Sequence, residues 1–263
     1  MKNCNKIHDL LKENNVLVAE HTEMFEIPYP SEVFGGFQGG CSDGNGYYYQ
    51  VLMHYEMSDR TKDYSCIAKI DLKEKKVVKY SDVMHVDHGN DIAYNKEKNL
   101  LFVVNNRPNP TKITLVDPET LEVVGYKETP VPIYALEYIE SKKMYAAGIS
   151  GTRDFCFFDE ELNLVGEIHT CDPSTNRYTK QGMCADENLI YFILWDGKHK
   201  DMDDFQNLIA IYDWSGSFKG VLEFNVGVKE PENLSIVNGE MLAVCGSTKS
   251  GPIIYHFEPK IKN

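Results

Sequence analysis

Seven consecutive residues, His85-Val86-Asp87-His88-Gly89-Asn90-Asp91, gather two imidazoles and two carboxylates. Imidazole titrates near neutrality, and a neighbouring carboxylate can orient it or exchange protons with it, so the segment suits general acid and base work. The same residue types can ligate metals, but no metal and no other cofactor is assigned. His88 and Asp91 are candidate catalytic residues, and a structural loop role is the competing reading. The third catalytic candidate is Glu137, the one charged residue expected in the inner layer of the fold, where loss of solvent raises a carboxyl pKa. Glu230 and Glu232 are further acids expected near the same place.

The elements that must position these residues follow a repeat. A small or amide-bearing start runs into an apolar strand, turns, and returns as an aromatic-rich strand at five places, near 38, 90, 135, 181 and 233. The spacings of 52, 45, 46 and 52 residues suit four-stranded propeller blades. Two further strands follow each start, except in the fifth copy, which has one. The stretch 15–25 is the available fourth strand, and adding it would remove an exposed sheet edge. The expectation is an all-β, five-bladed propeller of four-stranded antiparallel blades, one domain over 1–263, with 1–14 as an N-terminal extension and 15–25 as the closing strand.

Composition limits the partners. Lys plus Arg number 27 against 40 Asp plus Glu, a net charge of −13, which disfavours nucleic-acid polymers and anionic membranes. No segment approaches the roughly 18 apolar residues of a membrane span. The first 15 residues lack the apolar core of a secretory signal, and the seven cysteines form no C-x-x-C pair and sit mostly in strand patterns, so a cytoplasmic location is expected.

Connections divide by length. Turns such as 43–46, 95–99 and 186–188 are tight, whereas 56–64, 105–111, 170–180 and 196–205 are long. In a propeller both long classes emerge on one side, where binding loops reside. All four arginines, Arg60, Arg107, Arg153 and Arg177, fall in connections of the long classes, of which these ranges are examples. An Arg fork grips carboxylate or phosphate in a way Lys does not, so Arg107, Arg153 and Arg177 are ligand-binding candidates, with ordinary loop charge as the alternative. Aligning the repeats puts Gln38, Asn90, Ala135, Gln181 and Asn233 at equivalent inward positions, with Gly40, Ile92, Glu137, Met183 and Ser235 a layer deeper. Gln38, Asn90, Gln181, Asn233 and the adjacent Glu232 complete the expected ligand-binding set, although such amides also serve to satisfy backbone groups.

Nucleophile-elbow and phosphate-loop motifs are absent from the sequence, and 43–46 reads as a hairpin turn rather than a calcium loop. The repeat starts Gln38-Gly39-Gly40 and Gln181-Gly182-Met183, and above all the run from Glu232 to Leu242, resemble the blade starts of plant-type glutaminyl cyclases. That family implies a five-bladed propeller that closes an N-terminal glutamine into pyroglutamate. Where the family carries Glu-Gly in its second blade as proton shuttle, this chain has His88-Gly89-Asn90-Asp91, so His88 or Asp91 would take that role. The functional expectation is a small polar, anionic ligand such as a peptide, sugar acid or nucleotide, bound at the long-loop end of the channel with acid and base turnover of cyclotransferase, lyase or hydrolase type. A non-catalytic sequestering module and a protein-interaction platform are the alternatives.

Overall fold

The computed structural model describes residues 3–28, 35–54, 59–170, 175–202, 204–247 and 251–262. Three antiparallel four-stranded sheets come first in the chain. They are β2 (Gly36–Ser42), β3 (Tyr47–His54), β4 (Tyr64–Asp71) and β5 (Lys76–Tyr80); β6 (Asp91–Asn95), β7 (Leu100–Val104), β8 (Lys112–Val116) and β9 (Val123–Glu128); and β10 (Ile133–Ile139), β11 (Met144–Ile149), β12 (Phe155–Phe158) and β13 (Leu164–Ile168). A fourth group, β14 (Thr179–Ala185), β15 (Leu189–Trp195), β16 (Asn207–Asp213) and β17 (Phe218–Phe224), is followed by β18 (Glu230–Val237), β19 (Glu240–Ser247) and β20 (Gly251–Ile261). The N-terminal strand β1 (Val16–Glu26) pairs antiparallel with β20, as expected, from Leu17 opposite Ile261 to Glu26 opposite Ile253. It also pairs in parallel with β17 through Val16, Leu17 and Val18, which fuses the last two groups into one eight-stranded sheet.

The first strands contact one another in cyclic order, β2 to β6 to β10 to β14 to β18 and back to β2. The fold is therefore all-β and propeller-like. Each sheet packs between two others, so its inner strands lose solvent on both faces and read as continuous apolar runs. Val51, Leu52 and Met53 of β3 are wholly buried, whereas β5 at the outside is mostly exposed. Tight turns are built by Asx geometry. Oδ1 of Asp43, Asp71, Asp117, Asp159, Asp186 and Asp213 each accepts two backbone N–H groups of its own turn.

The N-terminal extension is not free. Its residues form α1 (Asn3–Leu10), and Ile7 is wholly buried in the core beside Leu17 and Phe257. Cys41, Cys66, Cys156, Cys184 and Cys245 are buried free thiols. Among the described residues no helix is long and apolar enough to cross a membrane.

Candidate functional site

The first strands share an irregularity at their entry ends. Pairing with the second strand shifts between Phe37 and Gly40, Ile133 and Ala135, Lys180 and Met183, and Pro231 and Asn233. A bulge frees the extra residue from the ladder and re-aims it, and bulges recur beside active sites. The residues released here are Gln38 and Gly39, Tyr134, Gln181 and Gly182, and Glu232. Asn90 occupies the corresponding place just before β6. This ring differs by one residue from the expected layer in two copies. Ala135 and Asn233 are wholly or almost wholly buried; the residue released from the ladder is Glu232 in the last copy and, in the third, Tyr134, whose side chain packs in the core between the third and fourth sheets.

The deeper layer also differs from expectation. Ile92 and Met183 are buried in cores between sheets, because side chains of a first strand point alternately toward its two neighbouring sheets. Two glycines allow the strands to approach. A Cβ on Gly39 would fall on Oδ1 of Asp91, and one on Gly182 would lie 2.8 Å from the Glu232 carbonyl oxygen.

Four acids occupy these strands. Asp91 is 2 % exposed, and its Oδ1 and Oδ2 accept from the N–H groups of Ile92 and Leu136, each at 2.9 Å. Burial pushes its carboxyl up to about 8, against the pull of those two donors. Glu137, partly exposed, is held well above the ordinary carboxylate value by burial and then by the charge of Asp91, with the Tyr138 N–H opposing. Glu232, also partly exposed, is held well above its ordinary value by burial and by Glu230. Burial raises Glu230 too, although its Oε1 accepts from the Gln181 carboxamide. The surroundings of all four therefore favour the neutral carboxyl.

The other sequence candidates separate into occupied and open groups. His88 is buried with Nδ1 3.4 Å from Asp63 Oδ2, and its backbone N–H donates to the Arg107 carbonyl. It is thereby fixed under the long loops, while both Asp91 oxygens are taken by backbone donors. Asn90 donates to the Tyr134 carbonyl at 2.6 Å and accepts from Asn106 at 2.8 Å. The Asn233 amide donates to Gly40 O, Tyr48 Oη and Ser235 Oγ, tying β18 to the first sheet. Arg177 pairs with the wholly buried Asp196 and, at 2.8 Å, with Asp204. Arg153 donates to Thr175 Oγ1 at 3.2 Å and to the Tyr178 carbonyl at 2.8 Å. By contrast, no hydrogen bond to a described residue engages the Gln38 carboxamide, and the exposed Arg107 guanidinium has no partner among the described residues.

These contacts join long connections to one another: 81–90 to 59–63 and 105–111, 150–154 to 169–178, and 169–178 to 196–206. The two long classes therefore lie on one side, as the loop lengths imply. Among the described residues no three His, Cys, Asp or Glu side chains are grouped to hold a metal. Sequence reading missed Lys180 and Tyr134, for which no local signal exists: a strand-end Lys and a strand Tyr read as ordinary surface and core.

No protein-family model matches the chain, and no curated protein matches it in sequence. Its fold is similar to that of a glutaminyl cyclase from Myxococcus xanthus, with a TM-score of 0.65 and 11% identity over 94% of this chain and 99% of that one. A hydrazine synthase from Kuenenia stuttgartiensis aligns at a TM-score of 0.46 and 14% identity, over 81% of this chain and 56% of that one.

Proposed function

We propose that the five groups of strands are the blades of a five-bladed propeller, and that a small polar ligand of peptide class binds at the long-loop end of its axis. One observation supports this reading: four of the five first strands bulge at matching points, releasing Gln38, Gln181 and Glu232 from their ladders, and Glu137 on a fellow first strand carries a perturbed carboxyl. An amine on the ligand faces Glu230 and Glu232, the Gln38 carboxamide is open to it, and Arg107 is the rim cation left for an anionic group.

Turnover is of cyclotransferase type. The α-amine of an N-terminal glutamine attacks its own side-chain amide carbon, a C–N bond forms, and the amide nitrogen leaves as ammonia. Glu137, protonated at the start, gives its proton to the departing amide nitrogen and takes in its place the proton released by the attacking amine, a task for which a raised carboxyl pKa is suited. Asp91 does not touch substrate. It links the second and third sheets and keeps the Glu137 carboxyl protonated at higher pH through its charge. The fold similarity to a glutaminyl cyclase supports this choice of reaction over lyase or hydrolase chemistry.

The test is ammonia release and mass loss from a peptide with N-terminal glutamine, with purified wild type and Glu137→Gln compared by circular dichroism first. The expected result is turnover by wild type, and a fall of about 100-fold or more in kcat with KM nearly unchanged in the variant. Equal kcat in both folded proteins removes Glu137 from the reaction. Saturable peptide binding without ammonia release makes the protein a sequestering module instead.

A further inference from the structure

A cavity of about 10 Å³ lies between the third and fourth sheets. It is lined by Arg153, Thr175, Lys180 and Tyr212 together with Phe192 and Leu194. That volume suits a single water-sized occupant. Two of the lining residues are cations, and the hydrogen-bond partners that hold them are neutral. Lys180 Nζ donates to the carbonyls of Ile149, at 3.0 Å, and Thr152, and it lies 4.2 Å from the centre of the Tyr134 ring. Its third proton is uncommitted. The Arg153 fork is held by the Thr175 hydroxyl and the Tyr178 carbonyl. The Asp154 carboxylate, whose charge partly offsets that of Arg153 at Lys180, accepts from His169 Nδ1 at 3.0 Å and from the Thr170 N–H at 2.9 Å.

A second observation points to an occupant. The Tyr134 side chain is 6 % exposed, and its hydroxyl is buried with no hydrogen-bond partner. The ring that carries this hydroxyl packs with Phe192, Leu194 and Tyr212 and faces Lys180, all of which line the cavity. An unpaired buried hydroxyl costs about 1 to 3 kcal/mol, and two neighbouring cations in low dielectric repel. One small anion relieves both.

We propose that this cavity binds a small monovalent anion of halide size, held by the Lys180 ammonium, the Arg153 guanidinium and the Tyr134 hydroxyl. The anion cross-links the third and fourth sheets and is distinct from the axial ligand. The loss of solvent and the adjacent Arg153 bring the Lys180 amine down to about 8. Bound anion reverses that fall.

Thermal melts in sodium gluconate, with chloride, bromide or sulfate added at constant ionic strength, test the site in wild type, Tyr134→Phe and Lys180→Met. Chloride and bromide are expected to raise Tm saturably in wild type. Tyr134→Phe should need about ten-fold more halide for the same effect, one charge-assisted hydrogen bond having been lost. Lys180→Met should show no saturable response. Equal responses in all three proteins, no response in wild type, or a response to sulfate alone overturns the proposal. A readout that needs no variant is the titration of isotopically methylated lysines by NMR in wild type. The Lys180 midpoint should rise by about one pH unit with chloride, as expected for a nearby opposite charge, and an unmoved midpoint also overturns it.

Discussion

Replacing Asp91 with Asn tests whether burial or hydrogen bonding governs the acid at the junction of the second and third sheets. The folded-state carboxyl titrates near 8 and an ordinary Asp near 3.8. Between those values the unfolded chain carries the charge while the folded chain holds the proton. The stability this group contributes is therefore complete below about pH 4 and is lost as pH rises toward 8. One fully linked proton is worth about 1.4 kcal/mol per pH unit, so about 4 kcal/mol would be lost between pH 5 and 8. The two backbone donors at 2.9 Å favour the charged form, and the value near 8 already includes their pull, so about 4 kcal/mol stands as the expected loss. Asparagine can accept from only one of the two N–H groups, at a pH-independent cost of about 1 to 3 kcal/mol. Urea unfolding at pH 5, 6, 7 and 8 should therefore show the variant less stable at pH 5, with the gap narrowing by about 4 kcal/mol at pH 8. Glu137→Gln measured in parallel separates the contribution that Asp91 makes through its neighbour. A gap that stays constant across the range means that Asp91 is ionised in the folded protein throughout, and the argument from burial fails.

Ile7→Ala, at a wholly buried site in the helix before β1, should cost about 2 to 4 kcal/mol in denaturant unfolding. A change under about 0.5 kcal/mol, the size of an ordinary surface substitution, would show that the helix is undocked in solution. Arg177→Lys keeps the charge but loses the fork shared between buried Asp196 and Asp204, so it should lower stability by about 1 to 3 kcal/mol. Unchanged stability together with weakened peptide binding would return Arg177 to the ligand-binding role expected from sequence.

The strand pattern was legible because its cause is local. Apolar alternation, aromatic second strands and Asp-led turns recur in each copy, and the closing role of 15–25 followed from a missing fourth strand. The site was legible as a set of strands but not as a set of side chains. Alignment by turns carries the register only as far as the first bulge, so it gave Ala135 and Asn233 where the backbone releases Tyr134 and Glu232. Arg177 and Asn90 could not be recognised as occupied, because Asp196, Asp204, Tyr134 and Asn106 lie 16 to 44 residues away in sequence. Nor could His88 be matched with Asp63, which lies in the long connection that leads into β4.

The pairing of β1 with both β17 and β20 has a consequence for how the chain reaches its native state. β1 precedes the other described strands and is one of the last to find a partner, since Val16 waits for Val221 and Leu17 for Ile261. Until then its backbone amides and the apolar side of its helix have nothing to meet, a period in which edge-to-edge association competes with folding. The three central sheets pair only within themselves and can form during synthesis. Closure is therefore a late event, in which the earliest and the latest described strands are fastened at the same seam. A rearranged chain that begins at one of the distal tight turns and links β20 directly to β1 would carry that seam as an internal hairpin and acquire it early.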